Sequence, residues 1–181
     1  MHISGQRVIT AFMAGFLAAC GPALADNHGN SASATFINTS GEQVGKATIH
    51  EGNAGILVNL DIQDLEPGWK AIHIHGNGTC ADNNSGFKAS GGHLNPDDHK
   101  HGLLNDEGPD AGDFANFHVN SDGTAKAQLL NERASLNGDV GATILDQYGA
   151  ALVIHENPDD HEQQPIGGAG ARVACGVIER G

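Results

Sequence analysis

Basic residues, methionines and aromatic rings are scarce in this chain of 181 residues. Lysine and arginine number 9 against 22 acidic residues, for a formal net charge of −13. So acidic a surface argues against nucleic acid and anionic membranes as partners, because both must have their phosphate charge neutralised. Both methionines, Met1 and Met13, lie near the amino terminus, and one tryptophan, one tyrosine and six phenylalanines leave few large side chains for a core. No transmembrane span is expected: the apolar stretch at residues 8–19 falls short of the ~20 residues a helix needs to cross a bilayer. No long helical period appears either, which excludes a helix bundle.

What is present is glycine, at 26 residues, and short apolar runs separated by turn formers such as Asn38-Thr39-Ser40-Gly41, Glu51-Gly52-Asn53 and Ser121-Asp122-Gly123. Regular short strands joined by polar turns predict an all-β antiparallel sandwich or barrel. Strands are expected near 34–38, 44–50, 55–61, 71–75, 115–119, 124–130, 141–145 and 151–155. The length suits one domain around one core.

The amino terminus reads as a targeting segment. Arg7 gives a small positive region, residues 8–19 the apolar stretch, and Ala23-Leu24-Ala25 a small-residue cleavage site. A signal peptide over 1–25 is therefore expected, followed by a flexible start at 26–33 and the folded domain at 34–181. Leu17-Ala18-Ala19-Cys20 also fits the lipoprotein pattern, in which Cys20 becomes the lipidated first residue. Gly21-Pro22 would break the apolar helix just ahead of the Ala-x-Ala site, which favours cleavage after Ala25. Either route exports the protein to a periplasmic or secreted location, with a lipid anchor in the second case.

The chemistry is carried by spaced histidines. In an extended strand alternate side chains share a face, so His73 and His75 lie on one side with Cα atoms about 6.6 Å apart. Two imidazoles at that spacing can converge on one metal ion, while Ile72 and Ile74 take the opposite, apolar face. Further along stand Gly-Gly-His93, Lys-His101-Gly and Ile-His155, then Gly-Ala-Gly-Ala-Arg172-Val-Ala-Cys175-Gly.

Six motifs in order, G-W-K-A-I-H-I-H-G (68–76), G-G-H-L-N-P (91–96), K-H-G (100–102), G-P-D-A-G-D (108–113), V-I-H-E-N-P-D-D (153–160) and G-A-G-A-R-V-A-C-G-V-I (168–178), make the chain resemble copper, zinc superoxide dismutases of the bacterial secreted type. The resemblance runs from about residue 34 to 178. It implies an eight-stranded Greek-key barrel, an immunoglobulin-like sandwich with two long metal and active-site loops.

By that resemblance copper falls to His73, His75, His93 and His155, a four-imidazole set suited to Cu(II). Zinc falls to the bridging His93, His101, residue 110 and Asp113. Residue 110 is aspartate where the family has histidine. A carboxylate oxygen lies as many bonds from Cα as the ring nitrogen nearer the backbone, so Asp110 can reach the ion, in a His, His, Asp, Asp site within zinc's usual ligand types. His99 offers a substitute only two residues from His101. Asp159 matches the family carboxylate linking a copper histidine to a zinc histidine, and Asp160 reads as a solvated loop acid.

The implied reaction is dismutation of superoxide to dioxygen and hydrogen peroxide, with Arg172 docking the anion and His93 moving a proton. Export leaves Cys80 and Cys175 as an even pair in an oxidising compartment, expected as one disulfide. It would add about 4–5 kcal/mol in the chain-entropy model, and the resemblance implies that it also pins the loop after His75 near Arg172.

Two other classes were weighed against this one. A blue-copper electron carrier needs a Cys thiolate and usually an axial Met, neither of which the exported chain offers. A non-catalytic exported copper-binding or delivery protein would keep the copper ligands and tolerate a defective zinc site, but has no use for an anion clamp at Arg172. An acidic enzyme acting on an anion also needs local positive charge. Loop 156–171 carries no Lys or Arg, so steering is expected from Lys88, with Lys100 a further source. His50, His118, His161 and His28 read as structural or solvated. Trp69, just ahead of the His73 strand, is expected to pack there. Homodimer and monomer are both open.

Overall fold

The computed structural model describes residues 1–2 and 30–181. Cys20, both expected processing sites and His28 lie outside the described residues. Strand β1 (Ser31–Asn38) buries Ala32, Ala34 and Phe36 and turns Ser33 and Thr35 outward. Strand β3 (Gly55–Ile62) does the same with Ile56, Val58, Leu60 and Ile62. Such alternation is what a sheet with one wet face requires. Between them β2 (Gln43–Gly52) carries a bulge: its register with β1 shifts between Phe36 and Ile37. Gly45 sits there at φ 153°, where an added Cβ would lie 2.6 Å from the Asp61 carbonyl oxygen.

The remaining strands are β4 (Gly68–Lys70), β5 (Ile72–His75), β6 (Phe117–Val119), β7 (Ala125–Asn131), β8 (Ala134–Ser135), β9 (Ala142–Thr143), β10 (Ala151–His155) and β11 (Arg172–Arg180). Seven form one antiparallel sheet in the order β5-β10-β11-β1-β2-β3-β7. Strand β4 runs directly into edge strand β5, and β6 leads into edge strand β7. Pairing of β4 with β6, Trp69 opposite His118, therefore joins the two edges of the curl. No α-helix occurs among the described residues.

With β4 and β5 taken as one interrupted strand, β1, β2, β3, β4/β5, β6, β7, β10 and β11 make up the eight. The chain crosses from β3 to β5, returns to β7 beside β3, then crosses again so that β11 fills the gap between β10 and β1. These are the Greek-key crossings.

Three readings need correction. The strand expected at 141–145 shrinks to β9, paired in parallel with β8. The strand that completes the barrel is β11, which the sequence presented as a motif and not as a strand. Trp69 is likewise not packed inward: it is 57% exposed and meets the His118 ring edge-on at 5.3 Å.

Inside the curl lies one apolar cluster built around Phe36, Ile49, Ile56, Ile72, Ile74, Phe114, Leu152 and Ile154. On the outer face of β10 and β11 a smaller cluster joins Phe87, Ala151 and Val153 with the Cys80–Cys175 disulfide. Each fully buried Ile, Leu or Phe contributes about 1.5–3 kcal/mol, against about 1 kcal/mol net for a loop hydrogen bond. The barrel therefore holds its shape, loop 76–116 is anchored to it by Phe87, Phe114 and the disulfide, and loop 156–171 depends chiefly on polar contacts.

Candidate metal centre

Strand β5 is an edge strand, paired to β10 on one side only. Its other side is taken by loop 76–116, which returns to make isolated bridges His75↔His93 and His73↔Asp113. The Ile74 N–H donates to the Gly112 carbonyl at 2.9 Å, and the Leu94 N–H to the Ile74 carbonyl at 2.8 Å. Backbone pairing thus sets His93 and Asp113 directly across from His73 and His75. Strand β10 brings His155, whose cross-strand partner is Arg172 on β11.

One ring nitrogen of each of His73, His75, His93 and His155 lies within 4.8 Å of the others. Their second nitrogens are occupied. His73 Nε2 is 2.9 Å from Asp159 Oδ2, His75 Nδ1 donates to the Gly91 carbonyl at 2.9 Å, His155 Nδ1 to the Gly170 carbonyl at 3.2 Å, and His93 Nδ1 is 2.9 Å from Asp110 Oδ2. The first nitrogens, His73 Nδ1 and Nε2 of His75, His93 and His155, are buried without a hydrogen-bond partner. Buried polar atoms are rarely left so. Four converging imidazole nitrogens, each oriented from behind, fit one copper ion.

Beside them His93 Nδ1, His101 Nδ1, Asp110 Oδ2 and Asp113 Oδ1 face one another. His93 is 2.9 Å from Asp110 and 3.5 Å from Asp113, and His101 is 3.9 Å and 2.7 Å from the same two atoms. Four donors around zinc at about 2.0–2.1 Å stand roughly 3.3 Å apart in a tetrahedron, and these separations bracket that value. Among the described residues, His73, His93, His101 and Asp113 have ligand atoms all within 4.8 Å of one another, and Asp110 stands outside that tighter grouping. His73 is better assigned to copper, since its Nε2 is engaged by Asp159 and its Nδ1 is one of the four orphaned atoms. The carboxylates are aimed by their other oxygens: Asp110 Oδ1 accepts from Gly112 N–H, and Asp113 Oδ2 from Gly102 and Asp110 N–H. His99 belongs to neither group, and its Nδ1 faces the Glu107 carbonyl at 3.3 Å.

Asp159 ties the halves together, with Oδ2 on His73 and Oδ1 3.1 Å from His101 Nε2. Gly167 packs against it at φ 56°, and any Cβ there would collide with the Asp159 carboxylate. Asp160 is exposed and only caps its own turn.

Charge divides along the same line. Burial, aided by the charges of His93, Arg172 and His155, pushes His75 down to about 2, and burial with the charge of His73 takes His155 to about 3. Burial also lowers His73, despite Asp159. These three are neutral ligands-in-waiting. Burial opposes a proton on His93 and His101 too, but the carboxylates outweigh it. Asp110 and Asp113 raise His93, and Asp113 with Asp159 lift His101 to about 10. Burial would raise Asp113 and Asp159, yet their histidine hydrogen bonds hold both below the usual carboxylate range.

Above the metal groups opens a cavity of about 330 Å³, lined among others by His75, His93, His99, Asp110, Gln164 and Arg172. The Arg172 guanidinium donates to the carbonyls of Phe87 and Gly91 at 2.7 Å each and to Ser90 Oγ at 3.1 Å. All three acceptors lie in the loop that the Cys80–Cys175 disulfide fastens to β11, with Cα atoms 5.8 Å apart. Lys88 and Lys100 are exposed and neither lines the cavity.

Three amides absent from the sequence reading hold the loops. Asn131 donates to the Ala111 and Asp113 carbonyls, Asn116 pairs with the Asp159 backbone in both directions, and Gln164 does so with His101. His161, read as background, also faces Asp159, with Nδ1 3.6 Å from Oδ2.

A family model described as copper/zinc superoxide dismutase (SODC) matches residues 43–178. The chain is 45% identical over 148 residues to superoxide dismutase (Cu-Zn) 2 of Aquifex aeolicus, covering 81% of this chain and 85% of that protein. It is 43% identical over 151 residues to superoxide dismutase (Cu-Zn) of Caulobacter vibrioides, covering 82% and 86%. Among solved structures, a point mutant of a SOD-like protein from Bacillus subtilis matches with a TM-score of 0.76 at 34% identity, over 80% of this chain and 95% of that one.

Proposed function

Because the chain belongs to the copper/zinc superoxide dismutase family, we propose that it dismutates superoxide at the cavity above His75, His93 and Arg172. The observation that carries this reading is the set of four buried, unpartnered ring nitrogens converging beneath an arginine whose neighbours leave it donors to spare.

When bound, copper on His73, His75, His93 and His155 supplies the one-electron couple that oxidises one superoxide to dioxygen and reduces the next to peroxide, with zinc on His93, His101, Asp110 and Asp113 as a fixed charge. Everything else falls to the chain. Three of the five guanidinium N–H groups of Arg172 are committed to the loop. The other two are available to the anion, and a permanently charged planar fork suits a small diatomic oxyanion. His93 Nε2 would carry a proton only while it is not ligating copper, and would then give that proton to the reduced oxygen, with water supplying the second that hydrogen peroxide needs. Asp110 and Asp113 fix that ring from its Nδ1 side. Asp159 keeps His73 in the tautomer whose Nδ1 is free to ligate. The targeting segment and the Cys80–Cys175 pair support a periplasmic or secreted location.

Elemental analysis and a superoxide dismutation assay on one sample test this. Copper and zinc in equal amounts with fast turnover is the expected result. Full copper occupancy without turnover would replace it with a copper-binding or delivery role.

A further inference from the structure

The zinc-side histidine His101 is held at every polar atom. Its Nδ1 meets Asp113 and its Nε2 meets Asp159. Its backbone is gripped by a single side chain from the other loop: Gln164 Oε1 accepts the His101 N–H at 3.0 Å, and Gln164 Nε2 donates to the His101 carbonyl at 2.8 Å and to the Glu162 carbonyl at 3.1 Å. A primary amide satisfying both backbone groups of one residue acts as a neighbouring strand would, although no strand is present there.

From this geometry we propose that Gln164 is a positioning residue that latches loop 156–171 onto loop 76–116 and governs how fast metal leaves the His93, His101, Asp110 and Asp113 site. The inference rests on the zinc reading given above. Gln164, Pro165 and Ile166 form the wall of the cavity beside Asp110 and His101, so the latch that orders His101 also closes the side from which solvent and chelators reach the ion. Leu104 N–H also joins the two loops, donating to the His161 carbonyl at 3.1 Å, while Asn105 Nδ2 reaches the His101 carbonyl at 3.3 Å from within loop 76–116. Neither touches the His101 N–H, which among the described residues only Gln164 satisfies.

The test compares wild type, Gln164→Ala and Gln163→Ala, all loaded with copper and zinc. Zinc release to a colorimetric chelator and amide hydrogen exchange at His101 are both followed. Losing three hydrogen bonds, two of them to His101, should speed zinc release in Gln164→Ala by roughly 10-fold and remove the protection of the His101 amide, with copper retention unchanged. Gln163→Ala perturbs the same loop without the latch and should behave as wild type. Equal zinc release in Gln164→Ala and wild type, or equally fast release in Gln163→Ala, would overturn the proposal. If wild type takes up no zinc, it is the metal reading that fails. His101 amide exchange in the metal-free proteins then decides the latch alone, and unchanged protection in Gln164→Ala would overturn it.

Discussion

Two side chains decide whether this centre works, and they do so through different physics. Arg172 is held by three acceptors in the disulfide loop, so its contribution is a charge kept in place. Arg172→Ala should lower the dismutation rate by roughly 10- to 100-fold, the equivalent of one charge-assisted contact at about 1.5–3 kcal/mol. Metal content should stay at the wild-type level, as measured by elemental analysis of the assayed sample. In the proposed zinc site Asp110 would act by ligation. It stands where the family has histidine, yet its Oδ2 lies 2.9 Å from His93 Nδ1 and 3.9 Å from His101 Nδ1. Asp110→Ala should weaken zinc by more than the roughly 10- to 100-fold that loss of an outer partner costs, while Asp110→His should keep zinc bound. Competition with a chelator of known affinity separates these outcomes. His73 and His75 were legible from their alternation on a strand, whereas His93, His101 and His155 came from the resemblance, and the structure brings all five rings together. Asn116, Asn131 and Gln164 were not legible, since an amide that holds a distant backbone leaves no spacing in the sequence.

At the scale of elements, legibility followed the wetness of the faces. Strands β1 and β3 alternate cleanly because one side meets water. Strand β11 is covered on both sides: Ala174 joins the inner core and Cys175 the outer cluster. Its small residues Ala174, Cys175 and Gly176 erase the alternation. Residues 141–145 show the opposite failure: strand pairing is confined to Ala142 and Thr143, although the Ile144 and Leu145 N–H groups still donate to the Ser135 and Leu136 carbonyls. Strand β11 bears both Arg172 and Cys175, and the disulfide ties it to the loop supplying the acceptors of Arg172. Replacing Cys80 and Cys175 together by serine should cost about 2–5 kcal/mol, read as a shift in denaturant midpoint. Activity per bound copper should fall in the same variant, because the acceptors of Arg172 lose their anchor.

For the whole molecule, acidity is the governing property. A net charge of −13 repels an anion at long range, and screening over about 8 Å at physiological salt leaves local cations to guide it. Lys88 is exposed and adjoins Phe87, whose carbonyl accepts from Arg172. Lys88→Gln should slow dismutation most at low ionic strength, and a salt series of rates on the two proteins reads this. Protonation equilibria set a second global property. In the metal-free chain His75 and His155 are held neutral at about 2 and 3, so acidification below 6.5 favours the unfolded chain, where they take up protons. Asp113 and Asp159 lose their contribution as pH falls below the ordinary carboxylate value. His101, raised to about 10, contributes fully below 6.5 and loses that contribution between 6.5 and 10. Urea midpoints of demetallated protein should therefore peak near neutrality, and zinc should flatten the alkaline limb by taking the place of the proton. The placement of β5 has a consequence for solubility. His93 and Asp113 occupy the free edge of a strand bearing Ile72 and Ile74. A loop detached by loss of its ions would present that edge to a second copy of the chain, and unpaired edges are where sheets from separate molecules join. The residues assembled around the metals thus also guard the protein against aggregation.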